Sequence, residues 1–290
     1  RSRGLGDVYK RQGILISFVL SSCNNTTKKV DNNPTNDSAA SIVLVDKSTP
    51  EKVVAQPDRF VTYKKTERYH LNTEWGTDEG QDDPTYNVGH KSLDLQWPVY
   101  LNGVTQLPIL QDHLMILIFG KSCPDIQSAM AEYWDLGMID ECGPYDPGEE
   151  ITLKRVKSNN PNFVQFILKR MLSLGGGTGA SVSFTTQGIT YDKRVQKILR
   201  KKDILKNPHS LQLVQVLNKE IKRIMKVQNE EYNLLSKMPD KIIVGDKGLT
   251  FVCPDCIQFT YQGDEIEVFV PYFRIANYLT NDFKQSINMQ

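Results

Sequence analysis

Ile242-Ile243-Val244-Gly245-Asp246-Lys247-Gly248-Leu249-Thr250-Phe251-Val252-Cys253, followed by Ile257-Gln258-Phe259-Thr260-Tyr261 and Ile266-Glu267-Val268-Phe269-Val270, decides the fold class. Each apolar run is short and rich in β-branched and aromatic residues, which predicts strands. Gly263-Asp264 turns the chain into the last run, and Tyr272 to Leu279 reads as a small closing helix. Just upstream, Asn207 is placed to cap a helix with Pro208 at its first position. Leu213, Val214, Leu217, Ile221 and Ile224 then recur at helical spacing. Strands here follow one another without the regular helical interludes of a parallel sheet. That pattern argues for α+β, with helices packed on mainly antiparallel sheets.

Working outward, Phe163 to Leu174 is apolar and leads into Gly175-Gly176-Gly177-Thr178-Gly179, a turn that returns the chain through Val182, Phe184 and Thr186. Glycine supplies the positive φ that tight hairpins require. A phosphate loop would need Lys and then Ser or Thr after the last glycine, and Ala180-Ser181 stand there instead. Nearer the N-terminus, Val61 to Leu71 reads as a polar edge strand. Leu93, Leu95, Trp97 and Val99 alternate strictly, as a half-buried strand does. Leu107 to Phe119 predicts a helix entered through Pro108 and stopped at Gly120. A second runs from Ile126 to Leu136, between Pro124 and Gly137. The Gly143 to Gly148 loop, with Pro144 and Pro147, sets a boundary, so two small α+β domains are expected, at residues 58–148 and 149–290.

Residues 23–57 read as a flexible tether, rich in Asn, Thr, Ser, Asp and Lys, with too little apolar surface to offset its ordering entropy. Before it, Gly13-Ile14-Leu15-Ile16-Ser17-Phe18-Val19-Leu20 is too short to span a bilayer and ends in Leu20-Ser21-Ser22-Cys23, the form of a secretory signal. Residues 1–22 thus read as a non-native scar, Arg1 to Gln12, running into this signal. Leu-small-small-Cys is similar to the bacterial lipobox, which implies that the Cys23 thiol carries lipid and becomes the mature N-terminus. An unmodified signal peptide is the plainer alternative. The expected location is the cell envelope, periplasm or outer membrane, with membrane contact through lipid on Cys23; stable anchoring needs more than one acyl chain. The net charge is +1, and residues 1–22 hold Arg1, Arg3, Lys10 and Arg11 against one acid, Asp7. The remainder is therefore slightly acidic, which argues against bulk attraction to nucleic acid.

Four segments of the C-terminal half carry a resemblance. They are Gly175 to Gly179; Tyr191-Asp192 with Lys197-Ile198-Leu199 and Asp203-Ile204-Leu205; Gly248-Leu249-Thr250-Phe251; and Ile266 to Tyr272. Together they resemble the RsiV-like envelope domain family. That family includes the extracytoplasmic part of a lysozyme-sensing anti-sigma factor and the non-catalytic region of a peptidoglycan deacetylase. Leu93 to Pro98 and the helix ending Phe119-Gly120 are similar to the smaller PdaC-type domain that usually precedes it. The resemblance implies two α+β domains and a role in binding rather than catalysis. Thr178 stands where the family has His, so no acid–base role passes to it. Cys253-Pro254-Asp255-Cys256 replaces an aromatic segment, and with no sigma-binding part expected, anti-sigma activity does not carry over.

Beyond Cys23, an even set of thiols (Cys123, Cys142, Cys253 and Cys256) favours disulfides in an oxidising envelope. Cys123–Cys142 and Cys253–Cys256 are the simplest pairing. A thioredoxin-like use of Cys253/Cys256 would need a helix N-terminus at the first thiol, but a strand-like run follows the pair. A four-Cys zinc site lacks a second short spacing. Lys219, Lys222, Arg223 and Lys226 share a helical face, either a solvated surface or a patch for an acidic partner or polymer. No aromatics interleave with it, which argues against a single-stranded nucleic-acid platform. The acidic loop with Trp75, Asp78, Glu79, Asp82, Asp83 and Tyr86 lacks EF-hand spacing. It is either a plain surface loop or a dock for a basic protein, with lysozyme the candidate that the resemblance implies. His70, His90, His113 and His209 are scattered, with His113 expected to pack in its helix. No His-Glu-x-x-His or Gly-x-Ser-x-Gly motif occurs. The expectation is a binding module without cofactor, for a protein or glycan ligand. An envelope thiol oxidoreductase or a peptidoglycan-modifying hydrolase is the alternative.

Overall fold

A computed structural model of the chain describes residues 56–70, 88–136, 147–174, 182–228, 233–253, 256 and 265–289. All of them belong to one compact unit, Val54–Gln290. Strands β1 (Arg59–His70) and β2 (Val88–Tyr100) pair antiparallel, with Tyr63 opposite Leu95 and Thr66 opposite Ser92. The chain then crosses one face of the sheet through helices α1 (Leu107–Phe119) and α2 (Ile126–Asp135) and returns as β3 (Gly148–Val156). That crossover makes β3 parallel to β2, the one departure from antiparallel pairing among the described strands. Strands β4 (Phe163–Ser173), β5 (Val182–Asp192) and the two-residue β6 (Lys197–Ile198) complete a sheet of order β1-β2-β3-β4-β5-β6. This sheet runs unbroken across residue 148. β1 lies at its edge, as its polar sequence predicts.

After the short helix α3 (Lys201–Ile204) come α4 (Leu211–Gln228), β7 (Lys241–Val244), β8 (Gly248–Cys253) and β9 (Ile266–Pro271). The three strands form an antiparallel sheet in chain order. The expected α+β class therefore holds. The expected closing helix is instead α5 (Tyr272–Ile275) and a 3-10 turn (Ala276–Tyr278), and a separate α6 (Asn281–Ser286) follows it. The break has a local cause: Thr280 leaves helical geometry and its hydroxyl accepts the Phe283 N–H at 3.2 Å, which caps a new helix. The predicted cap at Asn207 is also displaced. The Asn207 side chain accepts the His209 N–H at 2.9 Å in a local turn, and Ser210 accepts the Leu213 N–H at 3.2 Å as the cap of α4. α1, by contrast, runs between the predicted limits, and Gly120 closes it in the left-handed region at φ +76°.

Each sheet has its own hydrophobic cluster. The inward residues of β2 (Leu93, Leu95 and Trp97) meet Leu110, Leu114 and Ile118 of α1 and Ala129 and Tyr133 of α2. The stripe Leu213, Leu217, Ile221 and Met225 of α4 covers Leu249, Phe251, Val268 and Val270. Burying each such aliphatic side chain is worth about 1.5–3 kcal/mol before entropy is charged against it. β4 serves both clusters, with Val164, Phe166 and Leu168 in the first and Phe163 in the second. The clusters are joined where β5 meets β7. There Gly188 leaves no room above it: a Cβ would lie 2.8 Å from Ile243 Cγ1 and 2.9 Å from its Cα. Nearby, the Gln165 amide donates to the Val244 carbonyl at 2.7 Å.

Candidate functional site

The loop between β5 and α3 is where charge, fixed geometry and open grooves coincide. Asp192 ends β5 almost fully buried and accepts three hydrogen bonds from Arg194: from its N–H at 3.0 Å, Nε at 3.2 Å and Nη2 at 2.7 Å. Lys193 pairs with Asp58 at 3.1 Å. Gln196 adopts a positive φ of 49°, and its side-chain oxygen accepts from the Thr105 N–H, the Thr105 hydroxyl and the Gln106 N–H, each at 2.9 Å. That clamp pins the loop to the start of α1. Asp203 accepts the Arg200 N–H at 2.8 Å at the head of α3 and pairs with Lys197 at 2.9 Å. Burial opposes its ionisation, but those donors win and hold its carboxyl below the usual range. The Thr280 hydroxyl donates to the Asp203 carbonyl at 2.6 Å and ties the loop to the C-terminal helices.

Several grooves flank this loop. One, of about 340 Å³, lies toward α6 and is lined by Asp192, Arg194, Lys202, Thr280, Asp282 and Gln285, among others. Another, of about 470 Å³, lies toward α1. Its walls differ in kind. Ile109 and Ile116 of α1, 51% and 45% exposed, form an apolar side that also carries Asp112, and Lys197, Arg200 and Lys202 form a mainly cationic one beside Asp203. Arg200 and Lys202 have no ion-pair partner among the described residues. His113 lines this groove instead of packing wholly inside its helix. Burial first, and then the Arg200 charge, push its imidazole below its ordinary pKa.

The other candidate residues are dispersed. Lys219, Lys222, Arg223 and Lys226 are all exposed on α4, opposite its apolar stripe. Arg223 is engaged at 2.9 Å by Glu220, which also pairs with Arg274 and so ties α4 to α5. These partners, Arg223 foremost, hold the Glu220 carboxyl below its usual range. Cys253 closes β8 and Cys256 follows it, both buried in the second cluster; Cys253 sits at a strand end, not a helix N-terminus. Cys123 is half-buried just before α2. Cys23, Cys142, the Gly175–Gly179 turn, the Ile257–Tyr261 strand and the acidic loop with Trp75, Asp78, Glu79, Asp82, Asp83 and Tyr86 lie outside the described residues. Among the described residues no group of three His, Cys, Asp or Glu could hold a metal ion. No helix there is long and apolar enough to cross a membrane.

One functional-looking group escaped the sequence reading. Lys91 is 4% exposed, and its Nζ donates to the Tyr133 carbonyl at 3.1 Å while lying 4.2 Å from the Tyr133 ring centroid and 6.0 Å from that of Tyr69. Its signal was present: in the alternation that buries Leu93, Leu95 and Trp97, position 91 also points inward.

The fold is similar to that of two solved DUF3298-family proteins. One, from Bacteroides fragilis NCTC 9343, is 14% identical with a TM-score of 0.60, over 79% of this chain and 97% of that one. The other, from Pseudomonas aeruginosa PAO1, is 13% identical with a TM-score of 0.52, over 78% and 95%. At such identities the likeness speaks for the fold alone. No family model and no curated protein matches the chain.

Proposed function

We propose that this chain is a lipid-anchored, non-catalytic binding protein of the bacterial cell envelope, of the RsiV-like and PdaC-type kind, and that it holds peptidoglycan. One observation carries the reading. The stretch Tyr191 to Leu205, which holds one of the four segments that carry the resemblance, is clamped by Gln196, Asp203 and Thr280 and flanked by open grooves. A pre-organised loop loses little freedom on binding, so its contacts are retained as affinity. Arg200 and Lys202 give the groove toward α1 an excess of cations suited to an anionic polymer, and the Cys23 signal directs the chain to the compartment where that polymer lies.

Two measurements test the proposal. Purified sacculi should sediment the full chain at physiological salt, and failure to do so rejects the ligand. Labelled palmitate should enter the protein in its native host and vanish in Cys23→Ala; equal labelling of both forms rejects the anchor. Capture of lysozyme in place of sacculi would move the assignment to a protein partner.

A further inference from the structure

We infer that the groove between α1 and α3 recognises the peptide stems of peptidoglycan rather than its sugar backbone: a short acidic peptide with small apolar side chains. The inference rests on the peptidoglycan reading and deepens it. Sugar rings are bound against aromatic faces, and this groove has no Trp, Tyr or Phe in its lining. What it offers is an aliphatic wall, Ile109 and Ile116, beside a cationic cluster, Lys197, Arg200 and Lys202, that outnumbers the lining carboxylates Asp112 and Asp203. A stem peptide presents the complement, with methyl side chains on one hand and free carboxylates on the other.

Arginine grips a carboxylate through two parallel hydrogen bonds, while lysine adds a mobile point charge. Neither cation is in a salt bridge among the described residues; the nearby Asp203, whose carboxyl the Lys202 charge helps to hold ionised, is itself bridged to Lys197. Length agrees as well. Ile109 and Ile116 stand seven residues apart on α1, about 10 Å at helical rise, and about three extended residues span that distance. The Gln196 clamp on Thr105 and Gln106 holds the two walls at a constant separation.

Calorimetry on the full chain separates the possibilities, with three probes: whole sacculi, the free tetrapeptide released by an amidase, and the peptide-free glycan strands left behind. Sacculi and tetrapeptide should bind and bare glycan should not. Amidating the peptide carboxyls, Arg200→Gln and Lys202→Gln should each weaken tetrapeptide binding at least about tenfold. Lys64→Gln, on the far strand β1, should leave it unchanged. The His113 imidazole resonances should shift with tetrapeptide and not with glycan. Binding of bare glycan at full strength, or an Arg200→Gln variant that folds and binds normally, overturns the inference. Sacculi that bind while the tetrapeptide does not also overturn it, yet leave the peptidoglycan reading standing. Absence of both kinds of binding ends both. Should Arg200→Gln fail to fold, the amidated peptide reports on the same contact with the protein unchanged.

Discussion

Lys91 is the residue whose surroundings most oppose its chemistry. Its ammonium is enclosed by Tyr133, Tyr69 and the sheet, with Glu149 close enough to compensate only in part, and burial pushes its pKa below the ordinary 10.5. Below the folded value both folded and unfolded chains carry the proton, so the folded state bears the full desolvation penalty. As pH rises through the folded value the native state sheds its proton first. The penalty then fades until the unfolded value is passed. The expected outcome is that wild type gains stability relative to Lys91→Met as pH climbs toward 10.5. Paired thermal melts across that range check it, and a constant difference between the two proteins would remove the argument. The pattern of β2 was enough to put position 91 inside. It was not enough to say what surrounds the charge there, because Tyr69 and Tyr133 reach it from distant stretches of chain.

Helix ends show how far local chemistry reaches. α1 is legible from its own residues: Pro108 opens it, Gly120 closes it in a conformation that suits glycine, and the Gly120 N–H returns to the Ile116 carbonyl at 2.9 Å. α4 is not legible to the same degree, since Asn207 and Ser210 are both good caps and only the fold selects between them. Ser210 won because its backbone carbonyl also accepts from Val214, while Asn207 is spent on the preceding turn. Ser210→Ala should therefore cost about 1 kcal/mol, within the 0.5–2 kcal/mol range for lost caps. Asn207→Ala should cost less. Urea unfolding of the two variants decides the matter, and the reverse order would restore Asn207 as the cap.

For the molecule as a whole, the shared strand β4 and the seam at Gly188 predict that the two hydrophobic clusters unfold together. Tryptophan fluorescence, read through Trp97 and Trp134 of the first cluster, should coincide with amide exchange at Leu217 and Ile221 of the second. Gly188→Ala drives a methyl into the β7 backbone and should lower both signals alike, by about 1–3 kcal/mol. Separate midpoints would show two independently folding halves.

Read alone, the sequence determined the α+β class, the edge position of β1, the limits of α1 and the inward faces of β2 and α4. Periodicity is a property of neighbouring residues, so it survives without any knowledge of what lies across from them. Only the tertiary structure decided the parallel pairing of β2 with β3, the seam of β5 on β7, and the meeting of α1 with the Asp192–Asp203 loop. These contacts join segments up to some ninety residues apart through hydrogen bonds and shape, which no short pattern encodes.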